Sequence, residues 1–528
     1  MLGGMQDFEL RVPRLIEHAE REHGRREIVT AWADGTITRT DWAGIARDAK
    51  KLAQALEKMG VKRGDRVATL AMNHHFHVVA WYGAIGMGGV IHTINPRLFD
   101  EQLVYIANHA EDKVLFYDKL FQPIVDRLKD QWTSIEHYVC FDNGEFEALL
   151  GRHDGDYRWV DGPEREPCML CYTSGTTGNP KGVLYEHRST LIHAMTVVSP
   201  ACFDLGPGAV ALPIVPMFHA AAWAMPFAGA IAGIKLVYAQ VNDPALLCRL
   251  MNEEKVTHSA GVPTVWLSMF QHIDKTGEAP EHLRIVTIGG SAAPRSMIER
   301  LMKMGIRVGH AWGMTETSPI GTIGAPPANW DELGFEEQVD LVCKQGRVPF
   351  GVELRVVDDD GREQPRDGAS SGRLQIRGPW VIRRYFQDEQ GDCLGEDNWF
   401  DTGDVAVLHP CGTMQITDRS KDVIKSGGEW ISSVELENAA VGCAGVAEAA
   451  AIGVRHPKWD ERPLLLVVRK EGSKVSADDI LSHLKEHVAK WWLPDEILFV
   501  DSLPHTATGK LLKTALRDQY RDYALQSA

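Results

Sequence analysis

The sequence predicts an α/β protein with mainly parallel sheets, followed by a small β-rich subdomain and a further unit at the C-terminal end. Three observations carry that expectation. Short apolar, β-branched runs alternate with longer amphipathic stretches through most of the chain. From Gly351 the runs are separated by Gly, Asp and Pro turns without intervening helical patterns. Over the last hundred or so residues strand-like and helix-like segments return as a separate group. In order, residues 66–72 read as a buried strand, 76–87 as a helix, 89–93 as a strand, 101–109 as a helix and 113–117 as a strand. The alternation resumes with strands at 283–288 and 307–311. The β-rich stretch has strands at 352–357, 372–376 and 413–416. Strands at 448–453 and 463–469 belong to the last unit, where Ser476, with Asp479 three positions on, caps a helix running to about residue 490. A final helix is expected over 516–523. No internal repeat or low-complexity tract is present.

At 528 residues the chain is long enough for about three ordinary domains. With 44% hydrophobic and 24% charged residues it is neither disordered nor fibrous. The formal net charge of −16 disfavours nucleic acid as a partner, although a local basic cleft for a small anion remains compatible with it. Nine scattered cysteines form no disulfide framework, which points to reduced thiols and a cytoplasmic location. Cys168 and Cys171 form a C-x-x-C, but they flank Met169 and Leu170 in a core-strand pattern, so buried inert thiols are expected. The N-terminal residues mix acidic and basic side chains and lack the apolar core of a signal peptide. Residues 209–234 carry no Asp, Glu, Lys or Arg, yet Pro213, Pro216, Pro226 and His219 interrupt them. A buried strand, turn and helix is expected there, not a membrane span.

The most informative segment is Tyr172-Thr-Ser-Gly-Thr-Thr-Gly-Asn-Pro-Lys-Gly182. Gly175 and Gly178 let the backbone fold tightly, while Thr173, Ser174, Thr176 and Thr177 supply hydroxyls and Lys181 a positive charge. Such a loop suits a polyphosphate, although it is not the P-loop pattern.

This loop resembles the phosphate-binding signature of the adenylate-forming superfamily, which includes acyl-CoA synthetases, luciferases and peptide-synthetase adenylation domains. The likeness continues in order through Ala311-Trp-Gly-Met-Thr-Glu-Thr317, Trp399-Phe-Asp-Thr-Gly-Asp404, Asp418-Arg-Ser-Lys-Asp422, Ile424-Lys-Ser-Gly-Gly-Glu429 and Thr508-Gly-Lys510. The resemblance implies an N-terminal domain over 1–419, built of two mainly parallel α/β sheets with a β-rich subdomain at about 345–419. A small mobile α+β domain over 420–528 would turn on a hinge at Lys421. It implies a two-step reaction: a carboxylate attacks the α-phosphorus of ATP to give acyl-AMP and pyrophosphate, and the acyl group then passes to coenzyme A.

In that scheme Thr173 to Gly178 and Lys181 would hold the β- and γ-phosphates, with Thr173 and Glu316 on the Mg²⁺ side. Thr315 would contact the α-phosphate. Trp312 would lie against the adenine, with Gly313 and Gly290 also among the ATP-binding residues; Asp404 would accept the ribose hydroxyls, and Arg419 would donate to the same ribose or to a phosphate. Lys510 would bridge carboxylate and α-phosphate during adenylation. After rotation about Lys421, Lys425 and the Gly427-Gly428 loop would face the thioester step and the pantetheine arm. Pro216-Met-Phe-His-Ala-Ala-Ala-Trp223 is similar to the acyl-tunnel segment of fatty-acyl members, so His219 and Trp223 are expected to line the tunnel. If helical, they would share one face. Val262, Pro263, Gly289 and Ser291 would complete the pocket.

No Arg or Lys stands in these acyl segments, which favours an apolar monocarboxylic acid, medium- to long-chain by resemblance. Relatives acting on short methylthio acids share the His–Trp pattern. Delivery to a non-CoA acceptor, and a catalytically dead nucleotide-binding scaffold, are the competing readings. Intact Lys510, Glu316 and Asp404 weigh against the scaffold. Oligomeric state is not legible, although fatty-acyl members are often homodimers.

Overall fold

The computed structural model describes residues 3–173, 179–389, 391–419, 421–426, 429–505, 511–521, 523 and 525. Packing divides the chain into two units. The first comprises Met1–Thr287, Gly313–Gly321 and Gly378–Cys393; the second comprises Ile288–Trp312, Thr322–Arg377 and Leu394–Ala528. This division does not fall at residue 420. It groups residues by packing in one arrangement, whereas a hinge is a property of two.

The first unit contains a six-stranded sheet in the order His137–Cys140, Asp112–Tyr117, Arg66–Leu70, Val90–Thr93, Pro167–Tyr172, Gly182–Glu186. All neighbours are parallel except the last pair. Arg66–Leu70 and Val90–Thr93 read as continuous apolar runs because parallel strands are covered on both faces. Helix His75–Gly86, buried along its whole length, packs on helix Trp42–Lys58. Asp41 caps the latter by accepting the Gly44 N–H at 2.7 Å. A second sheet carries, in order, His258–Gly261, Val210–Pro213, Lys235–Ala239 and Glu27–Ala31, mutually parallel, then Ile37–Asp41 antiparallel at the end. Ile37–Asp41, at the edge of the sheet, has no buried residue, whereas its neighbour Glu27–Ala31 is buried along most of its length.

The second unit contains the expected β-rich element, a four-stranded antiparallel sheet of Glu353–Val357, Gly372–Arg377, Phe400–Leu408 and Met414–Arg419. A further sheet pairs Val446–His456 with Asp460–Arg469 and adds Ile424–Ser426, Glu429–Ile431 and Glu496–Phe499. Helices Ser433–Gly442 and Ala477–His487 bury Leu436, Ala440, Ile480 and Leu484 against it. Ser476 caps the second of these helices as the sequence predicts, but the helix ends at His487. The final helix is Lys513–Gln519, earlier than the expected 516–523.

Residues 209–234 form strand Val210–Pro213, a turn and helix Met225–Ala232. Among the described residues no helix is long and apolar enough to cross a membrane. All nine cysteines are free, and burial lifts the Cys168 thiol to about 12, far from reactive use.

Five histidines are buried in a neutral form. Burial lowers His75, His77, His187 and His193 to about 3 and His310 to about 4. Each has a folded pKa below its unfolded value near 6.5, so the unfolded chain binds the extra proton between those limits. Their contribution is therefore complete above pH 6.5 and lost as pH falls towards 3, at about 1.4 kcal/mol per pH unit for each group. The urea midpoint should drop clearly between pH 7.5 and pH 5.0. An unchanged or higher midpoint at pH 5.0 would contradict this assignment.

Candidate active site

In the first unit, strand Pro167–Tyr172 ends in the phosphate-loop segment at the carboxyl edge of its sheet, where ligands of parallel α/β sheets bind. Of the loop residues, Thr173 and Lys181 are described; Ser174, Gly175, Thr176, Thr177 and Gly178 lie outside the described residues. The two ends of the loop are tied together. Thr173 donates its N–H to the Lys181 carbonyl at 2.9 Å, and Thr173 Oγ1 accepts the Lys181 N–H at 3.3 Å. Gly182 follows where a Cβ would press on the side chains of Phe386, Leu170 and Tyr172 at 3.1–3.2 Å, so a side chain there would require these neighbours to shift by a few tenths of an ångström.

The Thr-Glu motif lies in the same unit on a 3₁₀ turn, Thr315–Thr317, with all three residues buried. Thr317 accepts the Met314 N–H on its Oγ1 at 3.0 Å. Tyr185 donates to the Thr315 carbonyl at 2.7 Å, and Ile382 donates its N–H to the Glu316 carbonyl at 2.8 Å. A side chain at Gly313 would collide with the Pro319 carbonyl, so only glycine lets the chain fold back here.

Tyr385 links the two motifs, although no pattern around it in the chain marks it. Its hydroxyl donates to Glu316 Oε1 at 2.9 Å, while Lys181 Nζ lies 4.7 Å from its ring centroid. Burial and the Glu316 carboxylate both raise the phenol's pKa, which keeps it protonated and therefore a donor. Among the described residues no three His, Cys, Asp or Glu side chains form a metal cluster. The buried Glu316 carboxylate, linked through Tyr385 to the Lys181 end of the expected phosphate loop, nevertheless fits Mg²⁺, which is commonly held by one or two carboxylates together with substrate phosphates.

In the second unit Asp404, 6% exposed, sits on strand Phe400–Leu408 opposite Arg419. Arg419 Nε is 3.5 Å from Asp404 Oδ1, and Trp312 donates its indole N–H to Asp404 Oδ2 at 2.9 Å. The structure thus brings Trp312, Asp404 and Arg419 together from three separate stretches of chain. Gly290, at φ +85°, occupies a left-handed position that favours glycine, Gly289 is buried and Ser291 is exposed. His310 braces this loop. Its Nε2 accepts the Ala293 N–H at 3.3 Å, while Nδ1 faces the Cys343 carbonyl at 3.1 Å, which fixes one neutral tautomer.

The acyl segment corrects one expectation. His219 and Trp223 do not share a helical face. His219 is extended (φ −117°), and the residues after it form a 3₁₀ turn, Ala220–Ala224, with positive φ at Ala220, Ala222, Trp223 and Ala224. The α-helix begins only at Met225, with Pro226 in its first turn, where a missing N–H is harmless. The entry is fixed as well. Asn73 donates to the carbonyls of Pro213 and Val215 at 3.0 and 2.9 Å and accepts the Met217 N–H at 2.7 Å. Left-handed conformations cost about 1–2 kcal/mol per non-glycine residue and persist only where the surroundings determine them. Trp223 is buried at 6% exposure and His219 half-buried.

Val262 ends in the cap of helix Pro263–Thr276. The acyl segments themselves lack a cation, but the fold supplies one from elsewhere: the Arg97 guanidinium lies 5.9 Å from the Phe218 ring centroid, and burial lowers its pKa.

In the C-terminal part Lys425 is exposed on strand Ile424–Ser426, with its N–H donated to Glu461 at 2.9 Å. Lys421 has its pKa lowered by burial and then by Arg419. Next to it Asp418 accepts both the N–H and the hydroxyl of Ser433 at 2.6 and 2.7 Å, and Lys513 pairs with Glu437 at 2.7 Å. Gly427, Gly428 and Lys510 lie outside the described residues.

Two family models match the chain: AMP-binding enzyme over residues 15–386 and the AMP-binding enzyme C-terminal domain over residues 435–510. The chain belongs to the AMP-binding enzyme family. Within this adenylate-forming superfamily it falls in the acyl-CoA ligase branch. It is 47% identical to a 3-methylmercaptopropionyl-CoA ligase of Ruegeria lacuscaerulensis, over 99% of each chain. It is 44% identical to a medium-chain-fatty-acid–CoA ligase of Ectopseudomonas oleovorans, over 100% of this chain and 99% of that one. The fold matches that of the anthranilate CoA ligase AuaEII in complex with anthranoyl-AMP, with a TM-score of 0.88 at 22% identity over 98% and 99% of the two chains. The AMP-binding family's two-sheet architecture and separate smaller C-terminal region are those expected from the sequence.

Proposed function

We propose that the protein is an ATP-dependent, AMP-forming acid–CoA ligase acting on an apolar monocarboxylic acid of medium to long chain. The end-to-end match to acid–CoA ligases at 44–47% identity is the observation that carries this reading. Attack of the carboxylate on the α-phosphorus breaks the bond to the β-phosphate. Acyl-AMP and pyrophosphate form, and the coenzyme A thiol then displaces AMP to give the thioester.

The protein's contribution to the first step is positioning and charge neutralisation. Thr173 and Lys181, with the loop between them, hold the terminal phosphates. Glu316, aimed by Tyr385, supplies the hard oxygen for Mg²⁺. Thr315 meets the α-phosphate, Gly290, Trp312 and Gly313 border the base, and Asp404 and Arg419 take the ribose. Lys510 bridges the reacting groups. The C-terminal region then turns about Lys421, so that Lys425, Gly427 and Gly428 face the second step. His219, Trp223, Val262, Pro263, Gly289 and Ser291 receive the acyl chain. Free thiols throughout accord with a reducing, cytoplasmic setting.

A second reading, a short methylthio acid as substrate, is favoured by the 47% identity to the Ruegeria ligase. Purified protein incubated with ATP, coenzyme A and acids from acetate to palmitate, with 3-methylthiopropionate included, decides between them when AMP and thioester are read separately. Release of ADP, or of AMP without thioester, would overturn the ligase reading. Trp223→Ala should broaden the chain-length profile by roughly tenfold in relative kcat/KM, the scale of one or two methylenes in an apolar pocket, with the KM for ATP little changed. An unaltered profile would make Trp223 a packing residue only.

A further inference from the structure

We infer that Trp312 is a positioning residue for ribose recognition, its indole N–H holding the Asp404 carboxylate in the plane that two neighbouring sugar hydroxyls require. This rests on the nucleotide role proposed for Asp404 and goes beyond it, because an aromatic ring that only borders the base needs no donor. Asp404 is prepared from its own strand. Its N–H is donated to Thr402 Oγ1 at 3.2 Å, and that hydroxyl donates to the Leu374 carbonyl at 2.9 Å. Gly403, at φ +72°, lets the chain bend between the two residues.

The backbone is therefore fixed, but a carboxylate can still turn about its last torsion. The 2.9 Å contact from Trp312 acts on that torsion through Oδ2. Arg419, across the strand pair at 3.5 Å from Oδ1, is half exposed and on a long side chain, so it restrains the group less. Two adjacent hydroxyls present two donors at one spacing. A carboxylate already oriented accepts both without losing rotational freedom on binding. The indole can only donate, so it cannot compete for the sugar's protons. A phenylalanine ring could cover the same area of base yet has no donor with which to orient Asp404.

The test compares ribose with deoxyribose. AMP and 2′-deoxyAMP are titrated into the full-length protein by calorimetry, and kcat/KM is measured for ATP and 2′-deoxyATP in acid-dependent pyrophosphate exchange. A hydrogen bond to a charged group is worth about a factor of ten or more in affinity. Trp312→Phe should therefore lower the preference for the ribonucleotide by about tenfold, mostly through KM, and should add little in an Asp404→Asn background. Trp312→Leu, which also lacks any donor, should lower that preference alike and serves if the Phe variant does not fold. A preference unchanged in both variants, or equal weakening of both nucleotides, overturns the inference. The calorimetric ratio does not depend on turnover, so failure of the ligase reading and failure of this one are distinguishable.

Discussion

Lys510→Ala should abolish acid-dependent exchange of pyrophosphate into ATP, a loss on the order of 10²–10³-fold or more, while leaving thioester formation from supplied acyl-AMP nearly intact. The split follows from where charge develops. In the first step a carboxylate approaches an already anionic phosphorus centre, and one ammonium between them offsets the repulsion. In the second step the uncharged carbonyl carbon of the mixed anhydride is attacked and AMP leaves, and in the proposed rotation Lys425 and the glycine loop would stand there instead. Measured by label exchange and by thiol consumption in parallel, an equal loss of both activities would remove Lys510 from the adenylation role. Equal retention of both would make it an ordinary solvated lysine.

Glu316→Gln should cut adenylation by roughly a hundredfold or more and raise the Mg²⁺ concentration needed for half-maximal rate. The amide keeps the size of the side chain and can still accept from Tyr385, and the backbone bond from Ile382 is untouched. Only the negative charge is removed, so a large effect reports on the metal–phosphate interaction and not on packing. Tyr385→Phe removes the orienting hydroxyl but leaves the carboxylate and the ring beneath Lys181. It should cost less, about tenfold, and leave Mg²⁺ dependence nearly unchanged. If Glu316→Gln matches the wild type in both rate and metal requirement, Glu316 is only an anchor for the segment around Ile382.

The parts of this site that the sequence displays are those whose chemistry is local. A phosphate loop needs its glycines and hydroxyls in one run, and a strand before it to end at the sheet edge. Both are visible between Pro167 and Gly182. The strand and helix pattern from Arg66 to Tyr117 was equally legible, because parallel buried strands are continuous apolar runs and the connecting helices are long. Boundaries moved by a few residues where capping or pairing, invisible in composition, decided the ends, as at His487 and Lys513.

Other features depend on residues far apart in the chain. Asn73 and the Pro213–Met217 segment are separated by about 140 positions, yet the amide's three hydrogen bonds shape the entry to His219. The left-handed turn that follows defeats a periodicity argument, since an i, i+4 pair shares a face only on a regular right-handed helix. Tyr385 reaches Glu316 from a stretch whose sequence carries no catalytic pattern, and Arg97 arrives at Phe218 from another sheet's loop.

By itself the sequence determined the α/β class, the order of the motifs and the family, because each is written in contiguous residue types. Only the tertiary structure decided which groups orient those motifs: Tyr385 on Glu316, Trp312 on Asp404, His310 under the Gly289 loop and Asn73 behind the acyl segment. The reason is that orientation comes from hydrogen bonds and packing between distant segments, and neither spacing nor composition records which distant segments meet.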